Sequence, residues 1–506
     1  MLNLTPCLRA VAKYRIAKLN HMAPGPTQEQ ELLRLIKRAV RTRFGKEHGF
    51  DQITSVSDYQ KQVPLRYYED FWRDYWKPLF PRVSDCTWPG LIPYFPVSSG
   101  TTSGATKYIP MTEEMVRSNT KAGLDLLIHH VANNPHSRLM AGKSFWLGSS
   151  TELVQESPGV YSGDLSGLAI KRMPWWASMR LFPPKSLSHI KDWEEKIEKM
   201  GRASLNDDIR SLSGIPSWLL LFFKRIFEIV PEAEGDISKV YPRLEMLVHG
   251  GINFEPYYRQ FKEIFRNSSA EFREVYPASE AFLAVGDRGY GDGMRMNLDN
   301  GLFFEFVPLE ELAGPNPTRH WIANVQKDVN YAVILTTCAG LWSYVLGDTV
   351  RFVDLNPPRV LVTGRTSYYL SAFGEHLIAE EIEAGVSKAA SAIGKDVRDY
   401  SVGAVFPTSA SELGSHLYVI EFADEAPRPE ALKKFSDELD RLLCERNEDY
   451  AAHRNKGFGL NPPQIKPVRT GFFSDWMKSR GKLGGQNKVP RIITKQELFE
   501  NLLRFE

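Results

Sequence analysis

Short apolar runs alternate with stretches of helical apolar spacing along most of the chain. Runs rich in Phe, Leu and Val occur at 282–285, 302–307 and 331–336, and helix-spaced segments separate them. Runs of this length match buried strands, whereas apolar residues three or four positions apart indicate one face of a helix. The alternation predicts a large α/β domain.

The N-terminal segment has the spacing of amphipathic helices. Its apolar positions include Leu32, Leu33, Leu35, Ile36 and Val40. Pro24 and Pro26 stand before them and are expected to precede the helix. The most hydrophobic run of the chain, 218–223, is ended by Lys224 and Arg225, which indicates a buried helix that is too short to span a membrane.

The pattern changes near residues 362–366, and a second, smaller unit follows. It contains helix-spaced and strand-like segments at 375–393, 400–406, 416–422, 429–450 and 465–470. Their order and combined size predict a compact α+β unit. The predicted domains are therefore 1–365 and 366–506, joined by a hinge. A final helix is expected to start at Thr494, because Glu497 follows at capping-box spacing.

Composition and charge are those of an ordinary globular protein. The chain has 506 residues, of which 42% are hydrophobic and 25% charged, enough for about two or three domains. Its formal net charge of +2 gives no electrostatic reason to expect a nucleic acid or an anionic membrane as a partner. The four cysteines are scattered without a CxxC pair, so we expect neither a disulfide framework nor a zinc site, but a reducing cytoplasm. The oligomeric state stays open, and a monomer is compatible with the sequence.

The segment 97–107 combines Ser and Thr hydroxyls with two glycines and ends on Lys107. It follows the apolar run 91–96 and precedes a predicted helix whose N-cap is Thr112. Glycine lets backbone N–H groups approach an anion closely, while hydroxyl and ammonium groups add donors and positive charge. A P-loop is excluded, because Ala105 stands where that motif needs a glycine. An anion site is therefore predicted, with a flexible linker as the alternative.

Two further motifs place polar groups beside predicted strands. Residues 276–280 (Tyr-Pro-Ala-Ser-Glu) start one strand, and 344–348 (Tyr-Val-Leu-Gly-Asp) are expected to end another in a Gly-Asp turn. Because α/β folds bind ligands at strand ends, Tyr276 is interpreted as a stacking surface for a base, Glu280 as a Mg²⁺ ligand and Asp348 as a ribose acceptor. Taken alone, each carboxylate has an ordinary alternative: a turn aspartate for Asp348 and a solvated strand-end charge for Glu280.

Other patterns carry no chemistry in this interpretation. His129 and His130 lie on a predicted helix without a carboxylate at metal-ligand spacing, and they are expected to be partly exposed. Residues 286–291 resemble GxGxxG only loosely and are expected to form a hairpin loop. The sequence has no GxSxG motif, which argues against an α/β-hydrolase.

Taken together and in this order, the motifs resemble those of the Gretchen Hagen family of acyl acid amido synthetases, a branch of the adenylate-forming enzymes. The matching pieces are Ser98-Ser99-Gly100-Thr101-Thr102-x-Gly104, Tyr276-x-x-Ser279-Glu280, Tyr344-x-x-Gly347-Asp348 and the segments 303–308 and 485–491. They extend over most of the chain, and an ordered set is far more specific than one motif. The resemblance implies a large N-terminal domain that binds ATP and a carboxylic acid, and a smaller C-terminal domain that carries a mobile lysine.

The resemblance also implies a role for particular residues. Those implied in ATP binding are Ser98, Ser99, Thr101, Thr102, Gly250, Gly251, Tyr276, Ser279, Asp348 and Arg365. Glu280 is implied to hold Mg²⁺ and Lys488 to stabilise the adenylation transition state, with Lys482 as the alternative lysine. The candidates for the acid pocket are Phe145, Trp175 and Trp176. In one departure from the pattern, Ser367 stands where many relatives carry a hinge aspartate, so the hinge position is defined only to within several residues.

The implied activity is that of an ATP-dependent ligase with small-molecule substrates, a carboxylic acid and an amine such as an amino acid. The acid is adenylated to an acyl-AMP with release of pyrophosphate, and the amine then displaces AMP. ATP and Mg²⁺ are the implied cofactors. The alternatives on the same scaffold are an acyl-CoA synthetase and a catalytically silent carboxylate-binding protein. The sequence names neither the acid nor the amine.

Overall fold

The structure, a computed structural model, describes most of the chain. The described residues are 2–98, 106–148, 152–173, 175–188, 190, 193–251, 254–312, 314–366, 369–370, 372–373, 375, 377–407, 412–454, 459–480 and 489–505.

The α-helices are α1 (Thr5–Asn20), α2 (Pro24–Ala39), α3 (Arg43–Glu47), α4 (Val56–Gln62), α5 (Tyr68–Phe71), α6 (Glu113–Asn133), α7 (Leu165–Arg172), α8 (Trp175–Ser178), α9 (Lys185–Ser188), α10 (Trp193–Ser204), α11 (Pro216–Ile229), α12 (Ile237–Val240), α13 (Glu255–Ile264), α14 (Ala379–Ala392), α15 (Pro429–Arg446), α16 (Glu448–Arg454), α17 (Phe472–Ser479) and α18 (Gln496–Arg504).

The β-strands are β1 (Tyr94–Ser98), β2 (Lys107–Tyr108), β3 (Lys143–Leu147), β4 (Leu153–Ser157), β5 (Val160–Gly163), β6 (Leu181–Phe182), β7 (Ile209–Gly214), β8 (Met246–Gly250), β9 (Glu271–Pro277), β10 (Phe282–Val285), β11 (Met294–Met296), β12 (Leu302–Pro308), β13 (His320–Trp321), β14 (Asn330–Thr337), β15 (Tyr344–Leu355), β16 (Pro358–Arg365), β17 (Tyr369–Leu370), β18 (Leu377–Ile378), β19 (Val397–Val405), β20 (Ser415–Phe422), β21 (Gln464–Val468) and β22 (Ile492–Ile493).

A 12-stranded sheet forms the centre of the larger unit, in the order β13-β12-β14-β15-β16-β11-β10-β9-β8-β7-β3-β6. Strands β6, β3, β7, β8 and β9 pair in parallel, and the pairs from β9 onward to β13 are antiparallel. Parallel neighbours need crossover connections, which α10, α11 and α13 provide between β6, β7, β8 and β9. This arrangement confirms the predicted α/β fold.

The apolar runs of the sequence became strands of this sheet. The run 282–285 is β10, 302–307 lies in β12 and 331–336 lies in β14, so all three predictions are confirmed. Residues 286–291 connect the antiparallel strands β10 and β11, which confirms the predicted hairpin. Most of these strand residues are buried, as a sheet covered on both faces requires.

The C-terminal region forms a second sheet of four strands, in the order β21-β20-β19-β22. Tyr418 of β20 belongs to the same apolar core as Leu439 of α15, and its neighbour Val419 belongs to a separate core with Trp476 of α17. Neighbouring residues of β20 therefore face opposite helical layers, because side chains alternate along a strand. This sheet with its helices confirms the α+β fold predicted for the smaller unit.

The N-terminal helices form as predicted, with one correction. Leu32, Leu35 and Ile36 are buried along one side of α2. Pro24 is the first residue of α2 and Pro26 lies in its first turn, so the prolines begin the helix and do not precede it. Proline is tolerated there because the first turn of a helix uses no N–H group in its own hydrogen bonds.

Two predicted helix starts have different outcomes. The Thr112 hydroxyl accepts the Met115 N–H at 3.1 Å, which confirms it as the N-cap of α6. The final helix begins at Gln496 without a side-chain cap, so the predicted start at Thr494 was wrong. Thr494 directly follows β22, and the chain needs a further residue to leave the strand before it can turn into a helix.

Within the parts of the chain that the structure describes, no helix is long and apolar enough to cross a membrane.

The histidine pair of α6 is buried, contrary to the expectation of partial exposure. The His130 ring lies between two carboxylates, with Nδ1 3.2 Å from Glu271 Oε2 and Nε2 3.6 Å from Glu245 Oε2. Glu245 directly precedes β8 and Glu271 is the first residue of β9, and the spacing along the helix did not reveal them. Burial opposes protonation of His130, but the two carboxylates outweigh it and hold its pKa above the ordinary value. Burial lowers the pKa of His129 to about 4.

The two histidines are expected to affect stability with opposite pH dependence. Because the pKa of His130 is raised on folding, its stabilisation is complete below the unfolded value of 6.5 and is lost as the pH rises through the folded pKa. We expect His130→Gln to lower the free energy of unfolding by about 2 kcal/mol near pH 6, and by less at pH 9. The cost of His129→Gln should instead grow with pH between about 4 and 6.5, because the folded wild type buries a neutral ring there.

Urea unfolding of the wild type and both variants from pH 5 to 9 measures these costs, and contributions from other groups cancel in each difference. A cost of His130→Gln that rises with pH would contradict the assignment of a protonated ring between the carboxylates.

Candidate functional site

The two tyrosine–carboxylate motifs, which are distant in sequence, meet beside β9 and β15. The Tyr276 hydroxyl donates to Asp348 Oδ2 at 2.7 Å, and the Tyr344 hydroxyl donates to Glu280 Oε1 at 2.9 Å. All four side chains are less than a tenth exposed. The structure thus brings the residues predicted for base, metal and ribose into one buried group.

Asp348 lies within a strand and not in the predicted Gly-Asp turn. Strand β15 continues to Leu355, and Gly347 has φ +93 where the pairing with β14 shifts register. Glycine reaches a positive φ without strain, and a bulge bends a strand without ending it. The predicted strand end was wrong because the glycine forms such an irregularity inside a longer strand.

Gly250 and Gly251 follow each other at the carboxyl end of β8. A Cβ atom on Gly250 would lie 2.3 Å from the Val275 carbonyl oxygen of β9, which no side chain can tolerate. Gly251 has φ +85, a conformation that favours glycine. Both glycines stand one strand away from Tyr276, at the edge of the sheet where open α/β folds bind ligands. Their predicted place beside a base stays a prediction.

Strands β1 and β2 enclose the predicted anion loop. They pair antiparallel with Ser98 opposite Lys107, so the loop starts and ends at one place. The Lys107 ammonium lies 3.2 Å from Glu69 Oε1 and 5.0 Å from the centre of the Tyr68 ring. The loop residues Ser99, Thr101 and Thr102 lie outside the described residues. Their phosphate contacts, like that of Ser98, stay predictions.

The charge of Glu280 depends on its burial and on groups from β15 and β2. Burial raises the pKa of Glu280, and the nearby Asp348 carboxylate acts in the same direction. The Tyr344 hydrogen bond and the Lys107 charge act in the opposite direction without cancelling burial. The sequence assigned Lys107 to the anion loop and gave Tyr344 no site role, and it did not indicate that either lies close to Glu280. No sequence motif indicated that Glu69 lies beside the site.

Ser279 and Arg365 have backbones close to the same group. Ser279 lies in the bend between β9 and β10. Arg365 ends β16, and the antiparallel register places it opposite Asp348. The Thr366 N–H donates to the Gly347 carbonyl oxygen at 2.8 Å and extends this pairing. Their roles in ATP binding stay predictions.

The aromatic residues predicted for the acid pocket lie in different surroundings. Phe145 packs in the apolar core against Phe182 and Phe222, with ring centroids 4.8 and 4.7 Å away. Strand β3 directs this side chain toward α11, and its place in an acid pocket stays a prediction. Trp175 is 73% exposed on α8. The Trp176 side chain lies outside the described part.

A cleft opens at the carboxyl ends of β3 and β6. Its lining residues are Trp146, Gly148, Ser166, Ile170, Leu181, Pro183, Ser188 and Lys196. Lys196 is buried and donates to the Gly148 carbonyl oxygen at 3.2 Å, and burial lowers its pKa. Trp146 follows Phe145 on β3, so the two side chains leave opposite faces of the sheet. The pocket prediction was one residue away from a side chain that lines this cleft.

The candidate catalytic lysine, Lys488, lies outside the described residues, as does its alternative Lys482. The chain that directly follows Lys488 is anchored to the C-terminal sheet. Ile492 and Ile493 form β22 beside β19, and the Ser401 hydroxyl donates to the Pro490 carbonyl oxygen at 2.7 Å. A lysine at position 488 would therefore be carried by the smaller unit.

The donor set around Glu280 fits a metal ion only in part. Among the described residues, no group of three or more His, Cys, Asp or Glu side chains is arranged to hold a metal. Mg²⁺ commonly takes one or two carboxylates and completes its shell with phosphate oxygens and water. A single carboxylate at Glu280 fits a Mg²⁺ ion that arrives with a nucleotide.

Comparison with known families gives matches over three segments. Models of the GH3 family match residues 15–270 (N-terminal domain), 295–365 (central domain) and 380–497 (C-terminal domain).

Individual relatives are distant in sequence. A probable indole-3-acetic acid-amido synthetase of Oryza sativa subsp. japonica, GH3.9, is 28% identical over 45% of this chain and 55% of its own length, so the chain spans about half of that relative. The jasmonoyl-L-amino acid synthetase JAR4 of Nicotiana attenuata is 21% identical over 93% of this chain and 91% of its own.

Two solved structures share the fold. The GH3.15 acyl acid amido synthetase has a TM-score of 0.61 at 18% identity, covering 97% of this chain and 95% of that chain. A 2-hydroxyisobutyryl-CoA ligase has a TM-score of 0.56 at 15% identity, covering 96% of both chains.

Proposed function

The chain belongs to the GH3 family, and we propose that it is an ATP-dependent acyl acid amido synthetase, a ligase that forms a C–N bond through an acyl-adenylate. The observation that carries the proposal is the meeting of motifs 276–280 and 344–348, which puts two tyrosines and two carboxylates in one buried group. The names of the matched relatives as amido synthetases support the same activity.

Each part of the site has a role in binding ATP. Tyr276 stacks on the adenine, and Asp348 accepts hydrogen bonds from the ribose hydroxyls. Hydroxyls of the loop 98–102 hold phosphate oxygens, and Glu280 holds Mg²⁺, which neutralises phosphate charge when bound. Lys488 stabilises the charge that builds up during adenylation. The remaining nucleotide contacts are Gly250, Gly251, Ser279 and Arg365.

The two half-reactions follow from the weakness of a carboxylate as an acyl donor, since its leaving group would be oxide. The carboxylate oxygen attacks the α-phosphorus of ATP and the bond to pyrophosphate breaks, which gives an acyl-AMP. The amine nitrogen then attacks the acyl carbon, loses a proton, and AMP leaves with the electron pair of the C–O bond. The chain contributes chiefly by positioning and by electrostatic stabilisation.

We further propose that 1–365 and 366–506 act as two domains and that the smaller one rotates between the half-reactions. Glu375 accepts two backbone N–H groups from the residues just before it and pairs with His416 of β20 at 2.7 Å. This contact supports a hinge before Glu375, because the segment that follows the break is attached to the C-terminal sheet. Rotation would withdraw Lys488 and admit the amine.

A cytoplasmic location and small-molecule partners, an acid and an amino acid, complete the proposal, with no nucleic acid or membrane partner. All four cysteines are free thiols, as expected in a reducing compartment.

Exchange of labelled pyrophosphate into ATP tests the adenylation step. The purified chain is incubated with aryl, indolyl and fatty acids in turn, and we expect exchange that depends on one class of acid. The same acid with amino acids should then give an amide and AMP, with no thioester when coenzyme A replaces the amine. Thioester formation would identify an acyl-CoA synthetase, absence of exchange with every acid would support a silent binding protein, and ADP as product would exclude adenylation.

The cleft at the ends of β3 and β6 is proposed as the acid pocket, with Trp146 as its aromatic wall. We expect Trp146→Ala to raise the KM for the preferred acid by about tenfold and to leave the KM for ATP unchanged, because only contacts to the acid are lost. Trp175→Ala is the matched control, since that side chain is exposed on α8. Initial rates at varied acid and varied ATP measure both constants. A change with Trp175→Ala alone would place the pocket at α8 instead.

A further inference from the structure

The two tyrosine–carboxylate motifs of the site have the same internal spacing, and their hydrogen bonds run from one motif to the other. In each motif a carboxylate follows a tyrosine by four positions, at Tyr276 and Glu280 and at Tyr344 and Asp348. Each tyrosine hydroxyl donates to the carboxylate of the other motif and not to its own. Strands β9 and β15 are thus tied by a reciprocal pair of hydrogen bonds across 72 and 64 residues of sequence.

The Tyr344 hydroxyl is a fixed donor. Its side chain is 2% exposed and packs against the Phe71 ring, with centroids 6.2 Å apart. The backbone on either side is held as well, because the Val345 N–H donates to the Arg66 carbonyl oxygen at 2.9 Å.

Glu280 needs such a donor because the other influences on it are unfavourable. It is buried, it lies near the like charge of Asp348, and it follows a bend between two strands. The nearby Lys107 ammonium is already paired with Glu69. A hydrogen bond at 2.9 Å to one carboxylate oxygen therefore sets the orientation in which the carboxyl group faces a ligand.

We propose that Tyr344 is a positioning residue that orients Glu280 toward the metal ion of bound Mg²⁺·ATP, as Tyr276 in the other motif fixes Asp348. This inference rests on the proposed function, in which Glu280 holds that ion. Partners that orient a metal ligand from behind typically change metal affinity by about 10- to 100-fold when removed. Tyr344 touches neither ATP nor the acid in this arrangement, and it acts only through Glu280.

Nucleotide binding measured without turnover tests the inference. Isothermal titration of the full chain with ATP, at a series of fixed Mg²⁺ concentrations, gives the Mg²⁺ concentration at which binding reaches half its maximum. We expect Tyr344→Phe to raise this concentration by about tenfold and to leave weak Mg²⁺-free ATP binding unchanged. In a Glu280→Gln background the same substitution should have no further effect, because the oriented carboxylate is already absent.

Tyr241→Phe is the matched control. Tyr241 is equally buried and its hydroxyl is 2.6 Å from the Ser204 hydroxyl, so the variant loses a comparable bond away from the site. It should leave the Mg²⁺ dependence unchanged, and circular dichroism confirms that each variant is folded. Unchanged Mg²⁺ dependence in folded Tyr344→Phe, or an equal shift with and without Glu280, would overturn the inference while the proposed function stands. Failure of the unaltered chain to bind Mg²⁺·ATP would overturn both.

Discussion

Asp348→Ala is expected to lower kcat/KM for ATP by about 100-fold. The substitution removes the proposed acceptor for the ribose hydroxyls, and a hydrogen bond to a charged group contributes about 1.5–3 kcal/mol. It also removes the partner of the Tyr276 hydroxyl, which lies 2.7 Å from Asp348 Oδ2, so the ring proposed to stack on adenine loses a constraint. Both effects act on nucleotide binding in the ground state and the transition state alike, so KM for ATP should rise while kcat changes little.

Steady-state rates at varied ATP, with the acid saturating, measure this effect. Asp354→Ala is the control on the same strand, because Asp354 pairs with Arg359 near the far end of β15 and has no part in the proposed site. Loss of the Tyr276 contact should lower the free energy of unfolding by about 2 kcal/mol, which is less than the stability of a typical folded domain, so the variant is expected to remain folded. A wild-type KM for ATP in Asp348→Ala would contradict the proposal that Asp348 binds the ribose.

The sequence predicted the layers of the fold well, because period and length distinguish its elements. The apolar runs that became β10, β12 and β14 are short and continuous, and α2 shows one apolar face. The predictions failed where the local sequence pattern is compatible with more than one structure and tertiary contacts decide between them. A glycine at position 347 is compatible with a turn or with an irregularity in a longer strand, and only the pairing of β15 with β14 decides between them.

Burial of charged and aromatic side chains was the harder part of the site to predict. His130 is buried between Glu245, which precedes β8, and Glu271 of β9, and no spacing within α6 reveals partners more than a hundred residues away. Phe145 and Trp146 are adjacent, yet one packs in the core and the other lines the cleft. Neighbouring side chains leave opposite faces of a strand, so which of the two faces the cleft depends on register that the sequence alone does not contain.

The site motifs themselves were recognisable, whereas their connections were not. Tyr276, Glu280 and Asp348 could be selected because ordered motifs carry them. The pairing of Tyr344 with Glu280 depends on the order of strands in the 12-stranded sheet, and Lys107 approaches Glu280 from β2, a strand of another sheet. Strand order is a property of the whole chain, so a reading of separate motifs identifies the members of a site before it identifies their contacts.

Lys488→Ala is expected to reduce adenylation by at least about 100-fold, the largest effect proposed for a single side chain of the smaller unit. A positive charge placed against the phosphoryl oxygens stabilises the transition state much more than the bound substrates, and loss of such a group typically costs 10²- to 10³-fold in rate. Acid-dependent exchange of pyrophosphate into ATP measures this step. Because the next residues are held to β19 through β22, removal of the side chain should leave the fold unchanged.

The same variant should still form the amide from supplied acyl-AMP and amino acid at close to the wild-type rate. The second half-reaction involves no charge build-up on a departing pyrophosphate, and the proposed rotation has by then withdrawn Lys488 from the site. Lys482→Ala and Lys495→Ala are matched controls, one on the same segment and one just beyond β22, and both should keep wild-type exchange. Equal loss of both half-reactions in Lys488→Ala would mean that the lysine acts in a shared step, and loss of exchange in Lys482→Ala alone would transfer the role to that residue.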